Sequence, residues 1–332
     1  MHKSLLTIAL LGTASIFSAV PAIAAEDAAK TVINLETWPV PDVDALPDDM
    51  YGKLVRYGRA LTIETYKHIG PEVADPKMRY AGNNLACASC HQEGATLAWG
   101  IPWVGVPASF PQYRGREHDI STVEERVNGC MQRSMAGDPL PLESREMKAY
   151  VAYMHFLSRG IPIGAEIKGQ GMKPMKMPNR RADPIAGEKV YARRCAKCHG
   201  SDGQGERIGK AGDREGYDSP PLWGNDSFNT GAGMNRLVFA TRFIKHNMVD
   251  GKLSDDEAYD VAAYVVSQPR PAPKSLDLSK DFPARFNKPV DAAFPPYLDG
   301  VSADQHKYGP FPPLVEKMKA LKEQMQAGKT AK

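Results

Sequence analysis

The sequence predicts an all-α protein of two tandem helical domains, joined by an extended linker and followed by a Pro-rich C-terminal tail. Three observations predict it. The pattern Cys-x-x-Cys-His occurs twice, as Cys87 to His91 and as Cys195 to His199. Each copy follows a helix-like stretch and precedes an amphipathic helix bearing aromatics, Tyr150-Val151-Ala152-Tyr153 in one half and Val261-Ala262-Ala263-Tyr264 in the other. The spacing repeats too, with 62 residues from His91 to Tyr153 and 65 from His199 to Tyr264.

Residues 1–24 read as a secretory signal peptide. His2 and Lys3 start it, Leu5 to Val20 is apolar, and Ala22-Ile23-Ala24 supplies small residues for cleavage. The run is too short for a membrane span, and no later stretch is long and apolar enough to be one. Export to the periplasm is expected. The chain has 332 residues and a formal charge of +3, too mild to argue for nucleic acid or an anionic membrane as a partner.

The first domain is expected over 25–160. Asp48 and Asp49 are possible caps for a helix within 48–69, where Leu54, Val55, Leu61 and Ile63 recur at helical intervals. Ser121-Thr122-Val123-Glu124 offers a capping box for a helix that carries or closely precedes Cys130, and Glu143 to Ser158 closes the domain. Residues 161–183, rich in Gly, Pro, Lys and Met, read as the linker. Met172, Met175 and Met177 in this region are expected to pack against a domain surface. The second domain is expected over 184–270: Pro184 opens its first helix, and Ser254-Asp255-Asp256-Glu257 caps its last. The extension, 271–332, is Pro-rich to about Pro313 and weakly helical through Leu314, Met318, Leu321 and Met325.

There are five cysteines, and four of them belong to the two Cys-x-x-Cys-His motifs. An even set in an exported chain usually means disulfides, but this motif is the attachment sequence for c-type haem. Cys87 and Cys90 would bond one porphyrin with His91 as axial ligand, and Cys195 and Cys198 a second with His199. A zinc site would need four thiolate or imidazole ligands in tetrahedral arrangement. A haem-bearing helix, a long loop and a closing helix describe the small cytochrome c domain, which this chain resembles twice.

The sixth iron ligands divide the labour. In the second domain Met248 stands 49 residues after His199 and 16 before Tyr264, with Met234 as competitor. A thioether favours ferrous iron and raises the potential, which suits an electron exit site. In the first domain the unpaired Cys130 stands 39 residues after His91, with Met131 and Met135 as alternatives. On a helix, Arg126, Arg133 and Ser134 share the face of Cys130, and Arg114 and Arg116 precede it. Guanidinium groups depress a thiol pKa and bind oxyanions bidentately.

These residues resemble the diheme thiosulfate dehydrogenases, which also act as tetrathionate reductases. The resemblance rests on Cys87 to His91, Asn128-Gly129-Cys130, Cys195 to His199 and Lys245-His246-Asn247-Met248. It implies His91 and Cys130 as ligands of the first haem and His199 and Met248 of the second. It also implies coupling of two thiosulfates to tetrathionate, with two electrons passed to a small soluble acceptor protein such as a cytochrome c. Cys130 would be the reactive thiol, with Arg116, Arg126, Arg133 and Ser134 holding the sulfonate ends. Some members carry Lys immediately before the Met; Asn247 stands there, leaving only Lys245 as a nearby amine. Two alternatives stay open. A diheme electron carrier of the cytochrome c4 type would use methionine at both sixth positions. The diheme subunit of the Sox complex places its active cysteine in the later domain, where none follows His199.

Overall fold

The computed structural model describes residues 31–248 and 251–330; the leader reading of 1–24 lies outside them. Seven helices of ten or more residues run through the described residues: α1 Met50–Ile63, α2 Val123–Arg133, α3 Arg145–Leu157, α4 Pro184–Arg194, α5 Leu237–Asn247, α6 Asp255–Ser267 and α7 Pro312–Thr330. Their starts follow from local chemistry. Asp49 accepts the Gly52 N–H at 2.7 Å to open α1. Thr122 and Glu125 exchange bonds in a capping box at α2, and Ser254 and Glu257 do the same at α6. Pro184 occupies the first turn of α4, where its missing N–H costs nothing.

The two halves are built around the same crossing. α1 packs on α3, and α4 on α6. At each crossing a glycine lets the backbones touch. A Cβ on Gly58 would stand 2.1 Å from the Ala149 carbonyl oxygen and 2.7 Å from Tyr153 Cβ. A Cβ on Gly187 would stand 1.9 Å from the Asp260 oxygen and 3.0 Å from Tyr264 Cβ. The repeat seen as Tyr153 and Tyr264 in sequence is thus a repeat of contacts. A tryptophan joins each: Trp103 meets Tyr150 and Tyr153 edge-on, and Trp223 packs on Tyr191 and Tyr264.

Short strand pairs and an apolar cluster organise the segments outside these crossings. Val32–Asn34 pairs in parallel with Glu166–Lys168 from the linker region, and Gln112–Arg114 pairs with Asp119–Ser121 as a hairpin. Met177 is buried and Met175 half-buried in one apolar cluster with Leu237, Tyr259, Phe311 and Leu314. The tail therefore packs on the second half through Phe311 and the start of α7. No described helix is long and apolar enough to cross a membrane.

Candidate active site

Two cavities open where the Cys-x-x-Cys-His motifs end. The first, about 270 Å³, is lined by Cys87, Cys90, His91, Trp103 and Cys130. The second, about 540 Å³, is lined by Cys195, Cys198, His199 and Met248. In both, the imidazole Nδ1 meets a backbone carbonyl: Ile101 O at 2.6 Å from His91 and Pro220 O at 2.8 Å from His199. That contact fixes the ring and directs Nε2 to a metal. Paired thiols, an oriented imidazole, a second sulfur and aromatic walls fit a covalently held haem in each cavity. Leu85, Ala86, Cys90, Phe228 and Met234 line both cavities, so the two share a wall.

Cys130 lies in α2, whose axis brings its sulfur into the first cavity. Arg126, one turn earlier, donates from Nη1 to that sulfur at 2.9 Å. Burial pushes the Cys130 thiol up, but the charge of Arg126 and the hydrogen bond and charge of His91 outweigh it, leaving the pKa at about 6. His91 and Cys130 line the same cavity. The attachment thiols of the same cavity behave oppositely. Burial raises Cys87, and raises Cys90 to about 12, with no cation to offset it. Met131 and Met135 also line the cavity.

Of the four polar residues expected around Cys130, Arg126 and Ser134 line the cavity and Arg116 and Arg133 do not. Arg116 and Arg133 instead pair with another residue. Arg133 Nη2 donates to Asp281 Oδ1 at 2.7 Å, and Arg116 Nη1 donates to Asp281 Oδ2 at 3.0 Å and to Gly231 O at 3.1 Å. Both guanidiniums are committed to a carboxylate from the C-terminal extension. Arg114 lines the cavity instead, because it ends a hairpin strand whereas Arg116 lies in the turn that follows. Burial and then the charge of Arg126 lower the Arg114 pKa, the mark of two cations converging on one space. Asp281 escaped the sequence reading because nothing local distinguishes an Asp in a Pro-rich tail.

In the second cavity Met248 follows α5 directly, as that helix's C-cap. Met234 lines both cavities. Lys245 is turned away: its ammonium donates to the Leu253 carbonyl and pairs with Asp255 at 3.1 Å.

Comparison with known proteins agrees with this geometry. Residues 78–163 match the family described as SoxA/TsdA, cytochrome c domain, and residues 185–269 match cytochrome c. Thiosulfate dehydrogenase from Stutzerimonas stutzeri (strain A1501) is 41% identical, over 70% of this chain and 72% of that protein. The enzyme of the same name from Allochromatium vinosum is also 41% identical, over 70% of this chain and 84% of its own. The solved thiosulfate dehydrogenase TsdBA from Marichromatium purpuratum, in its as-isolated form, superposes with a TM-score of 0.64 at 32% identity. That match covers 72% of this chain and 51% of the solved one, so this chain spans about half of it. With two haem cavities of cytochrome c type and relatives of this similarity along most of its length, the chain belongs to the thiosulfate dehydrogenase family of diheme c-type cytochromes.

Proposed function

We propose that the chain joins two thiosulfates into tetrathionate at Cys130 and passes the two electrons to an external acceptor. The observation that carries this reading is the position of Cys130: it shares a cavity with Cys87, Cys90 and His91, and its sulfur is hydrogen-bonded by Arg126. Cys87, Cys90, His91 and Cys130 would hold the first haem, and Cys195, Cys198, His199 and Met248 the second. When bound, each haem accepts and passes on one electron, so two of them match a two-electron coupling.

The residues of the chain do the rest. The Cys130 thiolate bonds the outer sulfur of one thiosulfate, and two electrons leave. The outer sulfur of a second thiosulfate then attacks the sulfur bearing the sulfonate, as in thiol–disulfide exchange. Tetrathionate departs and the cysteine returns as thiolate, so atoms and charge balance. Arg126 and Arg114 orient the sulfonate ends and offset the repulsion between two dianions, and Ser134 supplies a hydroxyl. Run backwards, the same steps reduce tetrathionate. The leader reading supports a periplasmic setting. Methionine ligation suits the second haem as the exit to a small soluble acceptor such as a cytochrome c.

The test is ferricyanide-coupled thiosulfate oxidation beside methyl-viologen-coupled tetrathionate reduction, on the wild type and Cys130→Gly. The variant is expected to lose both activities with both haems still attached. Near-normal turnover by the variant would remove Cys130 from the mechanism, and absence of both activities in the wild type would reduce the chain to an electron carrier.

A further inference from the structure

Helix α2, which carries Cys130 near its C-terminal end, is gripped at that end by residues far away in sequence. Asn83 donates to the Ser134 carbonyl at 3.0 Å, and Asn229 donates from its side chain to the Gln132 carbonyl at 2.8 Å. The third grip comes from the C-terminal extension. Both oxygens of Asp281 are used, one on Arg133 at 2.7 Å and one on Arg116 at 3.0 Å. Asp281 and Arg133 are only 7% and 8% exposed. The carboxylate is itself fixed through its backbone. The next residue, Phe282, donates its N–H to the Arg116 carbonyl at 2.8 Å and puts its ring under the Arg116 guanidinium, 5.1 Å away. Arg285 donates to the Asp281 carbonyl at 3.2 Å. Phe282 holds φ +58°, a left-handed conformation that a bulky residue adopts only when its surroundings impose it.

We propose that Asp281 is a positioning residue for the reactive thiol: by clasping Arg133 and Arg116 it fixes the end of α2, and with it Cys130 and Ser134, against the first haem cavity. This rests on the assignment of Cys130 under the proposed function. The reasoning is electrostatic. Two buried guanidiniums share one carboxylate, leaving a net positive charge beside a cavity meant for dianions. Without the carboxylate they repel each other and neither is neutralised. Arg133 sits three residues from Cys130, so its displacement moves the sulfur, and a misplacement of about 1 Å can cost about 10²-fold in rate.

The experiment uses the full-length diheme protein and three readouts: thiosulfate kinetics, the EPR signal of a low-spin thiolate-ligated haem, and the methionine-ligation absorbance band of the other haem. Asp281→Asn is expected to split or lose the thiolate signal and to lower kcat by about tenfold or more. The methionine band should stay as in the wild type. Asp281→Glu keeps the charge, so it folds if the asparagine variant does not. Its carboxylate is displaced by one methylene, and its thiolate signal should shift with a smaller loss of kcat. Wild-type thiolate signals and kcat within twofold in either purified variant would overturn the proposal. So would equal damage to both haem signatures, which would mean a general structural role. Absence of a thiolate signal in the wild type would instead overturn the assignment of Cys130.

Discussion

Arg126 Nη1 lies 2.9 Å from the Cys130 sulfur, one helical turn away on the same face of α2. This contact separates one thiol from the two attachment thiols in the same cavity, whose pKa values rise with burial while that of Cys130 falls. A hydrogen bond to a charged group contributes about 1.5–3 kcal/mol. Arg126→Gln is therefore expected to lower kcat/KM for thiosulfate by roughly ten- to a hundredfold. Arg126→Lys should fall between, since an ammonium keeps the charge but not the planar fork. Steady-state oxidation with ferricyanide measures both, and a glutamine variant at the wild-type rate would remove Arg126 from the site.

Met248 and Met234 are distinguished by substitution. Met234 lines both cavities, whereas Met248 lines only the second. Met248→His is expected to abolish the methionine-ligation band and to lower the midpoint potential of that haem, because a thioether stabilises ferrous iron better than an imidazole does. Met234→Leu should leave band and potential in place. Spectroelectrochemical titration of the two variants decides which sulfur faces the second iron.

The helix crossings give a stability prediction. A methyl on Gly187 would stand 1.9 Å from the Asp260 oxygen, a backbone atom that yields only if α4 and α6 separate. Overpacking of this kind costs about 1–3 kcal/mol. Gly187→Ala is expected to lower the melting temperature by roughly 2–10 °C. The methionine band should fade before the thiolate signature. Gly58→Ala, at the equivalent crossing of α1 and α3, should reverse that order. Thermal scans that follow the two haem signals separately would show whether each crossing supports its own haem.

Much of this architecture was legible in sequence because local rules decide it. Asp49, Ser254 and Pro184 announce helix starts through short-range bonds and fixed backbone angles, and Tyr153 and Tyr264 mark equivalent places in a repeat. The haem motifs needed only adjacency. The pairing of Arg116 and Arg133 with Asp281 is not legible in sequence, for the opposite reason. Which anion neutralises a buried guanidinium depends on a partner 165 or 148 residues away, and spacing along α2 carries no trace of Asp281. The parallel pairing of Val32–Asn34 with Glu166–Lys168 was missed likewise, since three-residue strands have too few alternations to show a period.

The extension also carries a pH-dependent contribution to stability. Lys288 is 7% exposed, donates to the Pro296 carbonyl at 3.1 Å, and lies 4.4 Å from the centre of the Phe294 ring. Burial pushes its pKa down and Arg285 adds to that, with Asp281 offsetting part, to leave it at about 8. The folded pKa is below the usual lysine value, so between about pH 8 and the ordinary lysine range near 10.4 the unfolded chain holds more protons than the folded one. This residue's contribution to stability therefore rises with pH across that window and is least favourable below it. Lys288→Met removes both the desolvated charge and its titration. Urea unfolding at about pH 8 and about pH 10 should show the wild type gaining stability relative to the variant as pH increases. A constant difference between the two proteins at both pH values would mean that Lys288 titrates normally and that its ammonium stays hydrated.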